Sequence, residues 1–276
     1  PGIARFRCSY FQQQRGMGGV FRLIPEEIKP VEELGVPTHV ENFCNLKNGL
    51  VLCTGPTGSG KSTTLAALID FINRNQSRHI VTIEEPIEFV HQNKKSQITQ
   101  REVGIDTESF AKALRSVGRQ DPDVILEGEL RDLETIGLAI TASEMGYLVF
   151  ATLHTNSAAK TIDRIIDVFP EEQQNQVRTM LSCSLKGIIA QLLIPGKDGK
   201  GRVAVNELLF YDGSLPNIIR EGAVHKIISL IEGGRGKGMQ LMDDAIMSRL
   251  KEGLISGEDA YRWAAEKKKF QHLQNS

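Results

Sequence analysis

Leu50-Val-Leu-Cys-Thr-Gly55-Pro-Thr-Gly-Ser-Gly-Lys-Ser62-Thr-Thr-Leu-Ala-Ala-Leu-Ile-Asp-Phe-Ile72 is the stretch that decides the fold. An apolar run reads as a buried strand, a glycine-rich turn follows, and a run of good helix formers begins at Lys61. Residues 55–62 match GxxxxGK[ST] in full, in the strand–loop–helix order that gives the pattern a mechanism. Glycines let consecutive backbone N–H groups turn inward onto phosphate oxygens, and the helix N-terminus adds its positive end. In that motif Lys61 bridges the β- and γ-phosphates and the Ser62 hydroxyl ligates Mg²⁺. Gly55, Thr57, Gly58, Ser59, Gly60, Lys61, Ser62 and Thr63 are the expected phosphate-binding set. A chance glycine turn before a helix is the alternative, and the complete context argues against it. The chain is expected to bind a nucleoside triphosphate.

Outward from this stretch, short apolar runs alternate with amphipathic segments. Strands are expected at 50–54, 80–83, 124–126 and 148–152, and helices at 61–73, 109–118, 132–145 and 158–168. That alternation implies βαβ units around a parallel sheet, an α/β fold. Beyond about residue 171 the chain reads as mostly helical, with one strand-like run at 202–210 and a possible hairpin turn at 196–201. Upstream, IARFRCSY at 3–10 alternates, with Phe6, Cys8 and Tyr10 on one face and Arg5, Arg7 and Ser9 on the other. With 20–24 it is expected to form a hairpin, and the proline-bearing stretch 25–37 reads as a linker. The chain opens on Pro1, already strand-like, and reads as a fragment of something longer.

The 276 residues include 33 basic and 34 acidic side chains, a net charge of −1. That balance removes the signature of a protein that coats DNA, although it leaves a local basic lining open. Hydrophobic residues at 40% and charged residues at 24% are ordinary for a folded chain and rule out disorder. The longest apolar runs are far too short to span a bilayer, and no signal peptide opens the chain. The four cysteines form no CxxC pair and no ligand cluster, which argues against a zinc ribbon or disulfide framework.

Three further strand exits carry chemistry. Asp121-Pro-Asp-Val-Ile-Leu-Glu-Gly-Glu129 is an apolar strand ending in an acid. A carboxylate there can orient Mg²⁺ or polarise the attacking water, and Glu129 is the choice for that role. A surface strand-end glutamate is the bland reading. Thr82-Ile-Glu-Glu-Pro-Ile-Glu88 places three carboxylates at another exit, where they repel one another unless a cation compensates. Ala151-Thr-Leu-His154-Thr-Asn closes a fourth strand, and His154 there could sense the γ-phosphate. No NKxD motif for reading guanine is present.

Taken in order, the glycine loop, the TIE-x-PIE box, the GE-ending strand and the TLHTN box resemble the type II/IV secretion and type IV pilus motor ATPases. QREVG at 100–104, EGELRDLETI at 127–136, TLHTNSAAKTIDRIIDVFP at 152–170 and GMQLMDDAI at 238–246 resemble the pilus-retraction branch. The resemblance implies a RecA-like phosphate-loop core over 38–276, helical from about 211. It also implies a linker at 26–37 and, at 1–25, the last hairpin of a truncated N-terminal α/β domain. As cofactors and substrate it implies Mg²⁺ and ATP. It implies a cytoplasmic homohexamer docked on an inner-membrane platform protein of the pilus machine, with no nucleic acid and no direct insertion into the membrane. Among the matched residues, Glu88 and Glu129 are implied in hydrolysis, His154 lies near the γ-phosphate, and Arg164 follows in the same box. Arg7 and Arg22 match N-terminal arginines that reach a nucleotide.

The sequence also departs from that pattern. Glu85 stands where Asp is usual, and Glu127 interrupts a strand that is usually apolar, so it either finds a cation or crowds Glu129. Pro216 replaces an arginine in a helical segment, which leaves retraction against assembly less secure. An assembly or secretion ATPase of the same family is the runner-up, although the tetracysteine element common there is missing. A RecA-like nucleic-acid translocase and a non-hydrolysing nucleotide-binding regulator are the other readings.

Overall fold

A computed structural model describes residues 4–24 and 27–273. The alternating N-terminal segment forms an antiparallel hairpin, β1 (Arg5–Gln13) and β2 (Gly16–Ile24), turning at Gln14 and Arg15. The expected hairpin and linker also touch residues 1–3, 25 and 26, which lie outside the described residues. Tyr10 and Phe21 pack edge to face across the hairpin, with ring centroids 5.7 Å apart. The stretch read as a linker is anchored from Val31 onward. Short 3₁₀ turns at Val31–Leu34 and Thr38–Asn45 bury Val31, Val36, Val40 and Phe43 against the helix that follows the glycine loop. Each such side chain is worth about 1.5–3 kcal/mol when buried, which outweighs the freedom that prolines and charges suggest.

The core is a seven-stranded sheet in the order β5-β4-β6-β7-β3-β8-β9. Its strands are β3 (Gly49–Thr54), β4 (His79–Glu84), β5 (Gln97–Glu102), β6 (Val124–Glu127), β7 (Leu148–Leu153), β8 (Leu185–Pro195) and β9 (Arg202–Phe210). All neighbours pair in parallel except β8 and β9. β3 and β7 are buried along their whole length, as expected for strands covered on both faces. α1 (Lys61–Asn75) covers one face. α2 (Phe110–Val117), α3 (Leu133–Glu144), α4 (Ala158–Asp167) and α5 (Glu171–Ser184) cover the other. Ser109, Asp132 and Ser157 start three of these helices, each accepting a backbone N–H with its side chain.

Two strands depart from the sequence reading. β5 is a polar edge strand, QITQRE, whose apolar content gives no signal; pairing to β4 makes it a strand. β8 carries GIIAQLLI, an apolar run that suits helix or strand equally. Its place beside β3 decides the matter, so the region after residue 171 is less helical than expected. Residues 196–201 do turn between β8 and β9, with Pro195 opposite Arg202.

Beyond β9 the chain is helical, in α6 (Leu215–Arg220), α7 (Ile227–Gly233), α8 (Met242–Lys251), α9 (Gly257–Trp263) and α10 (Lys267–Phe270). Pro216 falls in the first turn of α6, where its missing N–H costs nothing, so this departure leaves the helix intact. α6 and α7 join the α2–α5 face, while α8, α9 and α10 bury Ile246, Ala260 and Phe270 against Ile194 and Val205.

Glu127 resolves differently from either expectation. It is the last residue of β6, wholly buried, with both carboxyl oxygens lacking a hydrogen-bond partner. Glu129 lies beyond the strand end and meets other partners, so the two acids do not crowd one site. Burial, reinforced by the charge of Asp132, pushes the Glu127 carboxyl well above its ordinary range, so it stays protonated. The folded chain therefore keeps a proton that the unfolded chain releases, and stability falls as pH rises above the ordinary carboxylate range. Glu127→Val removes an unpartnered buried acid worth about 1–3 kcal/mol, and should raise Tm by about 2 °C or more. Scanning calorimetry from pH 5 to pH 8 should show the gain over wild type widening; a flat or negative difference would contradict a neutral buried acid.

Candidate nucleotide-binding and hydrolysis site

Because β3, β4, β6 and β7 run parallel, their carboxyl ends open at one edge of the sheet. The loop leaving β3 turns sharply into α1. Gly60 caps the helix at φ 85°, and Gly55 takes φ 148°, where a Cβ would collide with the Gln191 backbone oxygen. Gln191, buried on β8, clamps the loop from outside. Its Nε2 donates to Ser59 O at 2.6 Å, while its Oε1 accepts from Thr64 Oγ1 at 2.9 Å and Asn206 Nδ2 at 3.0 Å. Lys61 Nζ donates to Gly55 O at 2.8 Å and Pro56 O at 3.1 Å. Burial pulls its pKa below the usual ammonium value, opposed in part by the carboxylates of Glu129 and Glu88.

A cleft of about 600 Å³ opens above this loop. Thr57, Gly58, Gly60, Lys61, Ser62 and Thr63 form its floor, and Glu88, Glu129 and His154 line it from the neighbouring strand exits. Gly55 and Ser59 shape the loop from beneath; the Ser59 hydroxyl is buried without a hydrogen-bond partner. Arg7 and Arg22 face the same cleft from the hairpin, where they sit directly opposite each other. Like charges at opposed positions disfavour a sheet, so this pair suits an anion between them. Arg5 donates to Ile87 O at 3.1 Å and Glu88 O at 3.4 Å, tying the hairpin to the acid-bearing loop. Arg164 is exposed on α4 and does not line the cleft.

Glu129 is held on both carboxylate oxygens. His154 Nε2 lies 2.9 Å from Oε1, and Arg131 Nε donates to Oε2 at 2.9 Å. Partial burial alone would raise this carboxyl, but the hydrogen bond and charge of Arg131, followed by His154, outweigh it and hold the pKa below the ordinary value. Arg131 also donates through Nη1 to Glu85 Oε2 at 2.7 Å, which gives Glu85 a cation. Glu84 accepts from Thr82 Oγ1 at 2.7 Å and Gln100 Nε2 at 3.1 Å; burial still raises its pKa. The three carboxylates of the TIEEPIE box all line the cleft, Glu84 and Glu85 each with hydrogen-bond partners of its own.

Four contributors escaped the sequence reading. Gln191 sits on an unrecognised strand. Arg202 lines the cleft and donates to Gly58 O at 3.2 Å, having passed as a residue after a turn. Glu84 and Arg131 stood inside quoted motifs, four residues from Glu88 and two from Glu129, and the repulsion among the acids was the available signal.

The glycine conformations, the buried lysine and the exposed Ser62 hydroxyl fit a triphosphate with its metal: Ser62 would hold Mg²⁺, which neutralises phosphate charge when bound. A largely parallel sheet with a glycine loop after an interior strand, and acids and a histidine at neighbouring exits, defines a RecA-like phosphate-loop nucleoside triphosphatase. Residues 6–202 match the family model described as type II/IV secretion system protein, and the chain belongs to that family. It is 53% identical over 264 residues to a twitching motility protein of Neisseria gonorrhoeae, covering 96% of this chain and 71% of that one. It is 54% identical over 260 residues to the type IV pilus retraction ATPase PilT of Pseudomonas aeruginosa, covering 94% and 75% respectively. The crystal structure of the pilus retraction motor PilT with bound ADP superposes with a TM-score of 0.91 at 48% identity, covering 99% of this chain and 77% of that one.

Lys61→Ala should abolish hydrolysis and weaken ATP binding strongly. Backbone N–H groups alone do not offset the β/γ-phosphate charge that a compact ammonium meets. Turnover near the wild-type rate, measured by phosphate release, would overturn the phosphate-loop reading.

Proposed function

We propose that this chain is the ATP-hydrolysing motor that retracts a type IV pilus, working as a homohexamer on the cytoplasmic side of the inner membrane. In this reading it docks on the platform protein of the pilus machine. The observation that carries the chemistry is the meeting of Lys61, Glu129 and His154 in one cleft. Extensive identity with two pilus-motility proteins supports the direction of work. No helix among the described residues is long and apolar enough to cross a membrane, which is compatible with peripheral docking. Residues 1–25 are read as the end of an N-terminal domain, 26–37 as its linker and 38–276 as the ATPase unit.

The chemistry follows from the placement of side chains. The glycine loop and Lys61 hold the phosphates. Glu129, kept ionised by its neighbours, accepts the proton of the attacking water as its oxygen bonds to the γ-phosphorus and the bond to ADP breaks. His154 orients that carboxylate through its 2.9 Å contact, and Glu88 adds an acid near the water. Arg7 and Arg22 meet charge on the outer phosphates from the hairpin that faces the cleft. Arg164, outside the cleft, is given no part in this step.

Glu129→Gln keeps the shape of the side chain but cannot take a proton. ATP binding should survive while kcat falls by about 10²-fold or more. Cells lacking the gene should carry long, unretracted pili and lose twitching; absent pili would assign the motor to assembly instead. An Arg7→Ala, Arg22→Ala double variant should bind ATP and lose turnover, a contribution of up to about 10³-fold in related chemistry. Because both arginines line their own chain's cleft, mixing this variant with Lys61→Ala subunits should not restore activity. Restored turnover in confirmed mixed oligomers would move the arginines to a neighbour's site.

A further inference from the structure

Glu85 and Glu129 leave the sheet side by side, because β4 and β6 are neighbours whose last paired residues are Ile83 and Glu127. Two carboxylates leaving adjacent strands repel each other unless a cation stands between them. Arg131 is that cation: Nε reaches Glu129 at 2.9 Å and Nη1 reaches Glu85 at 2.7 Å. Its backbone is fixed on both sides. Leu130, buried, donates its N–H to Thr152 O at 3.0 Å, and Asp132 caps α3 through a reciprocal hydrogen-bond pair with Thr135. The guanidinium therefore projects from a short, anchored link between a strand exit and a helix start.

An exposed ion pair contributes little to stability, and none is claimed for this one. Its consequence is geometric. With His154 on Oε1 and Arg131 on Oε2, the Glu129 carboxylate has no free rotation about its last bond. A planar fork holds two carboxylates in a fixed mutual geometry, which a freely rotating ammonium does not impose.

We infer that Arg131 is a positioning residue for ATP hydrolysis, orienting the Glu129 carboxylate toward the attacking water with Glu85 as its second anchor. This inference rests on the reading of Glu129 as the proton acceptor. Lys61, Glu84, Glu88 and His154 face the same space from the loop and the neighbouring strands, and Arg7 and Arg22 face it from the hairpin. All of these are unchanged in the variants below, and the terminal phosphate of ATP titrates alike for each, so differences between profiles report on Arg131.

The test measures kcat and KM for ATP between pH 3.5 and pH 8 for the full chain with Mg²⁺, alongside Tm. Arg131→Gln should lower kcat about 10- to 100-fold, the range that loss of positioning by about 1 Å commands, with KM within about threefold of wild type. The arginine lowers the Glu129 pKa, so losing it should move the acid limb of kcat upward. Arg131→Lys, which keeps the charge without the fork, should restore the acid limb but only part of kcat. Glu85→Gln should lower kcat without any upward shift of the limb. Glu129→Gln, run in parallel, separates the two ideas. Full turnover there sinks the proton-acceptor reading and this inference with it. A crippled Glu129→Gln beside an Arg131→Gln of wild-type kcat and pH profile sinks the inference alone. Loss of activity that merely follows a lower Tm, with no shift of the acid limb, also overturns it.

Discussion

The shared direction of β3, β4, β6 and β7 is the constraint on which the rest depends. Parallel strands end at one edge, and the crossovers between them return on the covered faces. Four loops distant in sequence therefore converge above the N-terminus of α1. The sheet order makes this compact: β7 lies beside β3, β6 beside β7 and β4 beside β6. An antiparallel partner in any of these positions would send its chemistry to the opposite edge. Within the seven-stranded sheet the antiparallel strand, β9, lies at the far side of β8 and brings Arg202 back to the cleft through the turn before it.

Convergence creates a charge problem, and the structure answers it group by group. Lys61 is folded onto its own loop carbonyls, Glu84 is satisfied by a hydroxyl and an amide, and Glu85 and Glu129 share Arg131. Arg7 and Arg22 remain a facing pair of cations over the opening. The result is a cleft with positive charge on its floor and on the hairpin, while Arg131 and His154 hold the Glu129 pKa below its ordinary value. Glu127 stands outside this balance because it points into the core, where protonation rather than pairing removes its charge.

The phosphate loop is also joined to the C-terminal helices by buried polar contacts. Gln191 holds Ser59 O and Asn206 Nδ2, and Gln240 Nε2 donates to Asn206 O at 2.7 Å. The adjacent Glu207 accepts from Ala158 N at 2.7 Å and Met242 N at 3.2 Å, at the first residues of α4 and α8. Burial raises its pKa against the pull of those two bonds. β9 thus reaches the glycine loop through Asn206 by way of Gln191, and the helix following the His154 strand through Glu207. Buried hydrogen bonds are costly to leave unmade, so these elements are held in a fixed relation.

Local chemistry made much of this legible. Glycines at 55, 58 and 60, Lys61 and Ser62 identify a phosphate loop because no other arrangement of backbone and ammonium serves a triphosphate so directly. The alternation of apolar runs and amphipathic segments gave the α/β class, and Glu129 and His154 stood out as polar groups at strand ends. Partners across the sheet were not legible. GIIAQLLI is equally good as helix or strand, and only pairing with β3 makes it β8 and puts Gln191 beneath the loop. Likewise, the sequence showed Glu127 and Glu129 as acids that would crowd one site unless a cation intervened, and it did not single out Arg131. Which acid meets the arginine, which meets the histidine and which is buried and neutral depends on strand register and solvent access. Those are properties of distant segments brought together, and the tertiary structure alone decides them.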